Sequence, residues 1–368
     1  MQLRKILAPA LAVALLLGVG AAIVVSSQRK QETDAAQIAR QAVVQIRGMI
    51  GSEKEPYFND PRVQARLREL GFAVSVDKVG SRALSTRSRE GYAFGFPAGA
   101  PAAISLQRAA GAKQIYQPFY TPMAIASWKA LVPLLEKAGL VRTDNGTHYI
   151  IDMARLMAMI GESRRWNELP GNTVYNTSKS MLISSTDVRT SNSAAMYLAL
   201  ASYVMNGNDI VNSQADADRL APALASLFLR QGFQESSSAG PFEDYTTMGM
   251  GKAPMVMIYE SQFLEYQSKR PSPNTDMVLL YPQPTLFTKH TLVPFNEAGQ
   301  RLGQALASDE QLQKLAVEYG YRTADTQQFT TFITERNLRA PAMLVDVVDP
   351  PSYEMLENMI RGIETRMQ

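Results

Sequence analysis

Small hydroxyl side chains recur where apolar stretches give way to helical patterns. Ser52, Ser81, Thr121, the Ser185-Thr186 pair and the run Thr190-Ser191-Asn192-Ser193 each follow an apolar, strand-like segment. In open α/β sheets ligands sit beyond the carboxyl ends of the strands. A helix starting there presents free N–H groups and the positive end of its dipole. Such a set suits hydrogen bonding to a small anion. Arg82 and Arg189 add guanidinium charge beside two of these positions, which favours an oxyanion or carboxylate. Asp187 and Glu260 lie in the same neighbourhoods and would suit a cationic or sugar-like ligand instead. The same Ser and Thr residues also serve as plain helix N-caps, and that alternative stays open at the level of sequence.

Bond-breaking chemistry has few candidates. The chain has no cysteine, so a thiolate nucleophile, Cys-ligated zinc and disulfides are excluded. Its two histidines, His148 and His290, lie far apart without metal-ligand spacing and read as hydrogen-bonded or surface residues. No G-x-S-x-G elbow, H-E-x-x-H pair or G-x-x-x-x-G-K-[ST] loop occurs. Ser75-Val76-Asp77-Lys78 matches S-x-x-K by chance, inside a strand-like alternation. No cofactor or metal is expected, and the chain reads as a binding protein rather than an enzyme.

Charge argues against nucleic acid as a partner. Lys and Arg number 37 against 34 Asp and Glu; removing Arg4, Lys5, Arg29 and Lys30, which flank an N-terminal apolar run, leaves 33 against 34. A near-neutral body has no electrostatic footprint for DNA or RNA.

The apolar run covers residues 6–25, uncharged and rich in Ala, Ile, Leu and Val, with Pro9, Gly18 and Gly20 within it. About 20 such residues can span a bilayer, whereas signal-peptide cores are usually shorter, about 7–15 residues. The length favours an uncleaved membrane anchor within residues 1–30. A cleaved signal, with Gly20-Ala21-Ala22 as the best small-x-small site, is the alternative.

From residue 43 onwards strand and helix patterns alternate. Residues 43–50 read as a buried strand ending at Gly51-Ser52. Asp60-Pro61 opens a helix closed by Gly71. Strands are expected at 72–76, 92–96, 115–120, 181–184, 255–259 and 277–281. Helices are expected at 104–110, 127–138 (with Pro133 forcing a kink or a later start), from Ser191, from Ser213, at 297–306 and 309–319, and after Pro350-Pro351. The Ser236–Pro241 stretch and residues 269–274 read as loops. Strands alternating with helices imply α/β layers with mainly parallel sheets, and the length allows two lobes.

One segment is more specific. Ala307-Ser308-Asp309-Glu310-Gln311-Leu312-Gln313-Lys314-Leu315-Ala316-Val317-Glu318-Tyr319-Gly320-Tyr321-Arg322 closely resembles the helix near the C-terminus of bacterial type II periplasmic solute-binding proteins, the class of the molybdate, sulfate and phosphate binders of ABC transporters. Tyr120-Thr121-Pro122-Met123-Ala124-Ile125-Ala126 is similar to the segment where that family's chain enters its second lobe. The segment from Thr186 to Ala195 is similar to its P-x-T-S-G ligand loop, with Asn192 where glycine is usual and no preceding proline. Pro254-Met255-Val256-Met257-Ile258-Tyr259-Glu260 resembles the last strand of the second lobe.

The resemblance implies a two-lobed α/β fold with a ligand cleft between the lobes. The first lobe would take residues 40–120 and 275–368 and the second 121–274, with hinges near Thr121 and 268–274. It places Ser52, Ser81, Arg82, Thr121, Arg189, Ser191, Ser193 and Tyr259 in the cleft. It also implies an extracytoplasmic solute-binding protein that captures a small polar ligand, an anion on the residues above, for an ABC permease. A membrane-tethered sensor or interaction subunit with the same fold is the alternative, and an enzyme on the same scaffold a third. The body would face the periplasm or cell exterior, held by the N-terminal helix, or be free in the periplasm if that helix is removed.

Overall fold

The computed structural model describes residues 43–144, 146–232 and 234–367. The expected anchor at 6–25 lies outside them. Among the described residues no helix is long and apolar enough to cross a membrane.

The first lobe grows from a three-stranded parallel unit. Strand β1 (Val44–Ile50) lies between β2 (Phe72–Lys78) and β3 (Phe94–Phe96), parallel to both. Gly48 sits in β1 where a Cβ would fall 2.0 Å from the Phe94 ring, so glycine is what lets β3 pack there. After Ile50 the chain turns at Gly51 into a short 3-10 turn (Ser52–Lys54), then α1 (Glu55–Asn59) and α2 (Pro61–Glu69). The Asp60 carboxylate caps α2 by accepting from Arg62 N at 2.7 Å. A second 3-10 turn (Ser81–Ser85) follows β2, and α3 (Ala100–Ala110) follows β3. Aromatic residues fill this lobe: Tyr57, Phe58, Phe94 and Phe96 pack with Leu67 and Leu302.

Two long strands carry the chain between lobes. Strand β4 (Tyr116–Trp128) pairs antiparallel with β9 (Thr285–Pro294), placing Phe119 opposite His290 and Thr121 opposite Thr288. Its second half instead pairs with β7 (Val256–Tyr259) and β8 (Met277–Gln283). The expected strand thus runs eight residues past Tyr120, and Pro133 sits in the first turn of a helix that begins only at α4 (Val132–Lys137). The returning strand β9 was not anticipated. It is the second crossover, whereas the expected hinge at 268–274 lies at the far side of the second lobe, before β8.

The second lobe adds β5 (Val141–Asp144), β6 (His148–Asp152), α5 (Met153–Gly161), α6 (Asn192–Met205), α7 (Gln214–Leu229), α8 (Ala239–Met248) and α9 (Glu260–Ser268). Helix α6 is buried along almost its whole length, which is why its sequence, Ala- and Leu-rich on all sides, has no clear polar face. After β9 come α10 (Glu297–Ser308) and α11 (Glu310–Glu318). The chain then returns to the second lobe with α12 (Thr326–Glu335), β10 (Val347–Val348) and α13 (Tyr353–Glu364).

The fold departs from the sequence expectations in two respects. The sheet path β2-β1-β3-β9-β4-β8-β6-β5, with β10 on β9 and β7 on β4, is mixed rather than mainly parallel, because the crossover strands run against their neighbours. Residues 275–368 also do not form one lobe. Strand β8 pairs with β4 and β6, Phe329, Phe332 and Ile333 of α12 pack with Ile258 and Leu279, and Leu356, Ile360 and Ile363 of α13 pack with Leu220 and Leu224. The apolar spacing of α12 and α13 marks a buried face but not which lobe buries it.

Candidate functional site

A cavity of about 390 Å³ lies between the lobes. Ser52, Glu53 and Ser81 line it from the first lobe; Ser191, Asn192, Ser237 and Tyr259 line it from the second. Larger cavities, of 490–600 Å³, open on the second lobe away from these residues.

The helix starts fall into two groups, with and without a side-chain cap. Ser213, Ser352 and Asp152 each accept from a backbone N–H in the first turn of their helices. Ser191, at the start of α6, makes no such cap bond. Its hydroxyl instead lies 2.8 Å from Thr186 Oγ1 and 3.0 Å from Ser193 Oγ, and Thr186 Oγ1 is 2.8 Å from Ser193 Oγ. These three hydroxyls brace each other and leave the first N–H groups of α6 without a side-chain cap at the cavity edge. Ser238, before α8, makes no cap bond either.

Four of the eight expected site residues line the cavity. Ser52 Oγ reaches across it to Ser237 Oγ at 2.8 Å, a direct hydrogen bond between lobes. Ser81 Oγ accepts from Ala98 N at 3.1 Å. Ser191 stands at the head of α6. The Tyr259 hydroxyl accepts from Asn192 Nδ2 at 3.1 Å, and burial holds the phenol well above its usual pKa, so it stays protonated. Asn192 in turn closes against Gly99, where a Cβ would meet its amide at 2.4 Å.

The other four stand off the cavity. Arg82 grips Glu357 of α13 with both terminal nitrogens, at 2.6 and 2.9 Å, and donates from Nε to Arg189 O at 3.0 Å. The Arg189 guanidinium folds onto Asp187, which holds that carboxyl below its usual range against the effect of burial. Thr121, fully buried on β4, accepts from Ser261 N at 3.1 Å and ties the crossover to α9. Ser193 is buried in the first turn of α6, its hydroxyl 3.0 Å from that of Ser191. Glu260 is equally engaged: Arg322 donates to both of its oxygens at 2.7 and 2.8 Å, and Tyr281 donates to Oε1 at 2.7 Å.

Sequence reasoning missed the buried group behind Glu53, which lines the cavity. Lys54 is fully buried and paired with Glu53, and its ammonium donates to His290 Nδ1 at 3.1 Å. An ammonium only donates, so Nδ1 accepts and the imidazole proton sits on Nε2. That atom is buried without a partner among the described residues. Burial, and then the Lys54 charge, drive the His290 pKa well below 6.5. Burial also lowers the Lys54 pKa, opposed by the Glu53 charge and hydrogen bond. The rings of Phe119, Tyr321, Tyr259 and Phe96 surround His290 at 5.1–6.5 Å. Tyr321 OH donates to Glu53 O at 2.8 Å, joining the family-like C-terminal segment to this group. Ser52-Glu53-Lys54 carries no motif, and His290 stands 236 residues from Lys54, so only the β4–β9 crossover reveals their contact.

Two lobes joined by two crossover strands, with a cavity bearing hydroxyls from both lobes at the junction, define the architecture of periplasmic solute-binding proteins. Solved structures agree. The sulfate-binding protein SubI from Mycobacterium tuberculosis H37Rv matches at TM-score 0.51 and 14% identity, over 88% of this chain and 99% of that one. A periplasmic thiamin binding protein matches at 0.52 and 10%, over 89% and 97%. An ABC transporter structure from Clostridium perfringens ATCC 13124 matches at 0.52 and 10%, over 88% and 100%. No family profile and no curated sequence matches. At these identities the likeness is one of fold: the chain has the periplasmic solute-binding-protein fold.

Proposed function

We propose that this protein is an extracytoplasmic solute-binding protein that holds a small polar ligand between its lobes and presents it to an ABC-type transporter. The carrying observation is the interlobe cavity, to which both lobes contribute hydroxyls and at which α6 starts without a side-chain cap. An anionic group of the ligand would sit at Ser191–Asn192, within reach of Ser52, Ser81 and Tyr259. Thr121, Ser193, Arg82 and Arg189 would support the site from behind: Thr121 at the crossover, Ser193 under Ser191, and Arg82 bridging the lobe edges. The named ligands of similarly folded proteins, sulfate and thiamin, are both small and polar.

A thermal-shift screen of small anions and metabolites, followed by calorimetry, tests this reading, because a ligand that binds the native state raises the melting temperature. A saturable ligand whose affinity falls in Ser191→Ala and Tyr259→Phe supports it; turnover of that ligand would move the protein to the enzymes. A membrane-tethered sensor of the same fold is a second reading, favoured by the apolar run at 6–25. Transport that fails without this protein, measured with labelled ligand, separates the carrier from the sensor.

A further inference from the structure

The charges around the cavity do not suit a simple anion. Both arginines that the sequence offers as anion clamps are turned onto Glu357 and Asp187. The charged residues that do line the cavity are Glu53, Glu55 and Lys78, two carboxylates against one ammonium, and Lys78 is already paired with Glu55 at 3.0 Å. The Lys54 ammonium does not reach the lining; it lies behind Glu53, fully buried. A fully charged oxyanion at the inner wall would therefore meet a carboxylate first.

Glu53 is also held in place. Lys54 bonds Oε1 and is itself fixed by its bond to His290 Nδ1, and the carboxylate folds over Gly51, where a Cβ would fall 2.5 Å from Oε2. Among the described residues no donor bonds Oε2. A carboxylate fixed in this way is a preorganised acceptor for a cationic donor. The opposite end of the cavity differs in kind, with Ser191, Asn192 and the uncapped start of α6. Its volume falls in the range of about 300–1,000 Å³ typical of sites for whole organic molecules, roomier than one tetrahedral oxyanion needs.

Resting on the solute-binding reading above, we infer that the ligand is a small zwitterion, with its anionic group at Ser191–Asn192 and a protonated amine on the Glu53 carboxylate. Glu53 is then a specificity residue, Lys54 is the positioning residue that orients it, and His290 acts through Lys54.

Calorimetric titration of the full-length protein with matched pairs tests this. The pairs are ω-amino carboxylates and aminoalkylphosphonates of two to five carbons, each against its amine-free partner, with sulfate and phosphate alongside. At least one amine-bearing compound should bind about tenfold or more tightly than its amine-free partner, the scale of one charge-assisted contact. In Glu53→Gln that ratio should fall towards one. If this variant does not fold, because Lys54 loses its counter-charge, the wild-type ratio alone decides. Equal affinity within every pair overturns the inference, as does the absence of binding by any pair. Sulfate or phosphate binding without a gain from any amine overturns it too, while leaving the solute-binding reading intact.

Discussion

The Arg82 guanidinium and the Glu357 carboxylate meet in a two-pronged contact, at 2.6 and 2.9 Å, that fastens the C-terminal helix α13 to the start of the 3-10 turn after β2. Helix α13 packs on α7 of the second lobe and also meets α3 of the first through Arg108 and Glu354, so the Arg82–Glu357 pair is one of the contacts that tie the lobes together at their rim. It is partly exposed, at 14% and 25% of the side chains. A double-mutant cycle on Arg82→Ala and Glu357→Ala, read by urea unfolding, should give a coupling of about 1 kcal/mol. Zero coupling would leave the contact without energetic weight.

The Arg322–Glu260 pair is a different case. Both side chains are nearly inaccessible, and Tyr281 and two backbone carbonyls complete the network. Removing one member strands a buried charge, which typically costs about 3–5 kcal/mol. Arg322→Ala should lower the urea midpoint by a corresponding amount with the m-value unchanged. A shift worth less than about 1 kcal/mol would show that the pair is not desolvated in solution.

Acid should destabilise the protein through its histidines. Burial lowers the folded-state pKa of both His148 and His290. Below about pH 6.5 the unfolded chain binds protons that the folded chain refuses, so stability is complete above that pH and falls as pH drops. The slope should approach about 1.4 kcal/mol per pH unit for His290, to which His148 adds in the same direction. Unfolding free energies measured from pH 8 to 5 should show it, and His290→Gln should flatten the curve. A flat wild-type curve would contradict the buried, neutral imidazole.

Gly299 allows α10 to touch the backbone just before β3 and at the end of β9. A Cβ there would lie 2.1 Å from Ala93 O and 3.3 Å from Pro294 Cα, both backbone atoms that cannot rotate away. Gly299→Ala should destabilise by about 1–3 kcal/mol or more despite alanine's better helix propensity. A stabilised variant would show that helix and strand separate at little cost.

Two serines that look alike in sequence should behave differently. Ser213 accepts from Asp216 N at 3.1 Å, so Ser213→Ala should cost about 1 kcal/mol of stability and leave ligand affinity unchanged. Ser191 does not cap its helix, and Ser191→Ala should weaken ligand binding by an order of 1–3 kcal/mol. Equal affinity in wild type and Ser191→Ala, with the fold intact, would remove Ser191 from the site.

Much of this molecule was legible in the sequence because local rules decide it. The Asp60-Pro61 start of α2, the Ser213 cap, the strand β1 (buried only in its second half) and the late start forced by Pro133 depend on nearest neighbours in the chain. The 307–322 segment pointed to the fold, and four hydroxyl-bearing residues, Ser52, Ser81, Ser191 and Tyr259, reach the cavity from strand ends or a helix start. What the sequence could not decide is pairing at a distance. Arg82 faces Glu357, 275 residues away, and Lys54 faces His290, 236 residues away. Charge is indifferent to sequence separation, so only the tertiary structure chooses each side chain's partner. By turning two arginines outward and setting Glu53 before Lys54, it decides what the cavity offers a ligand.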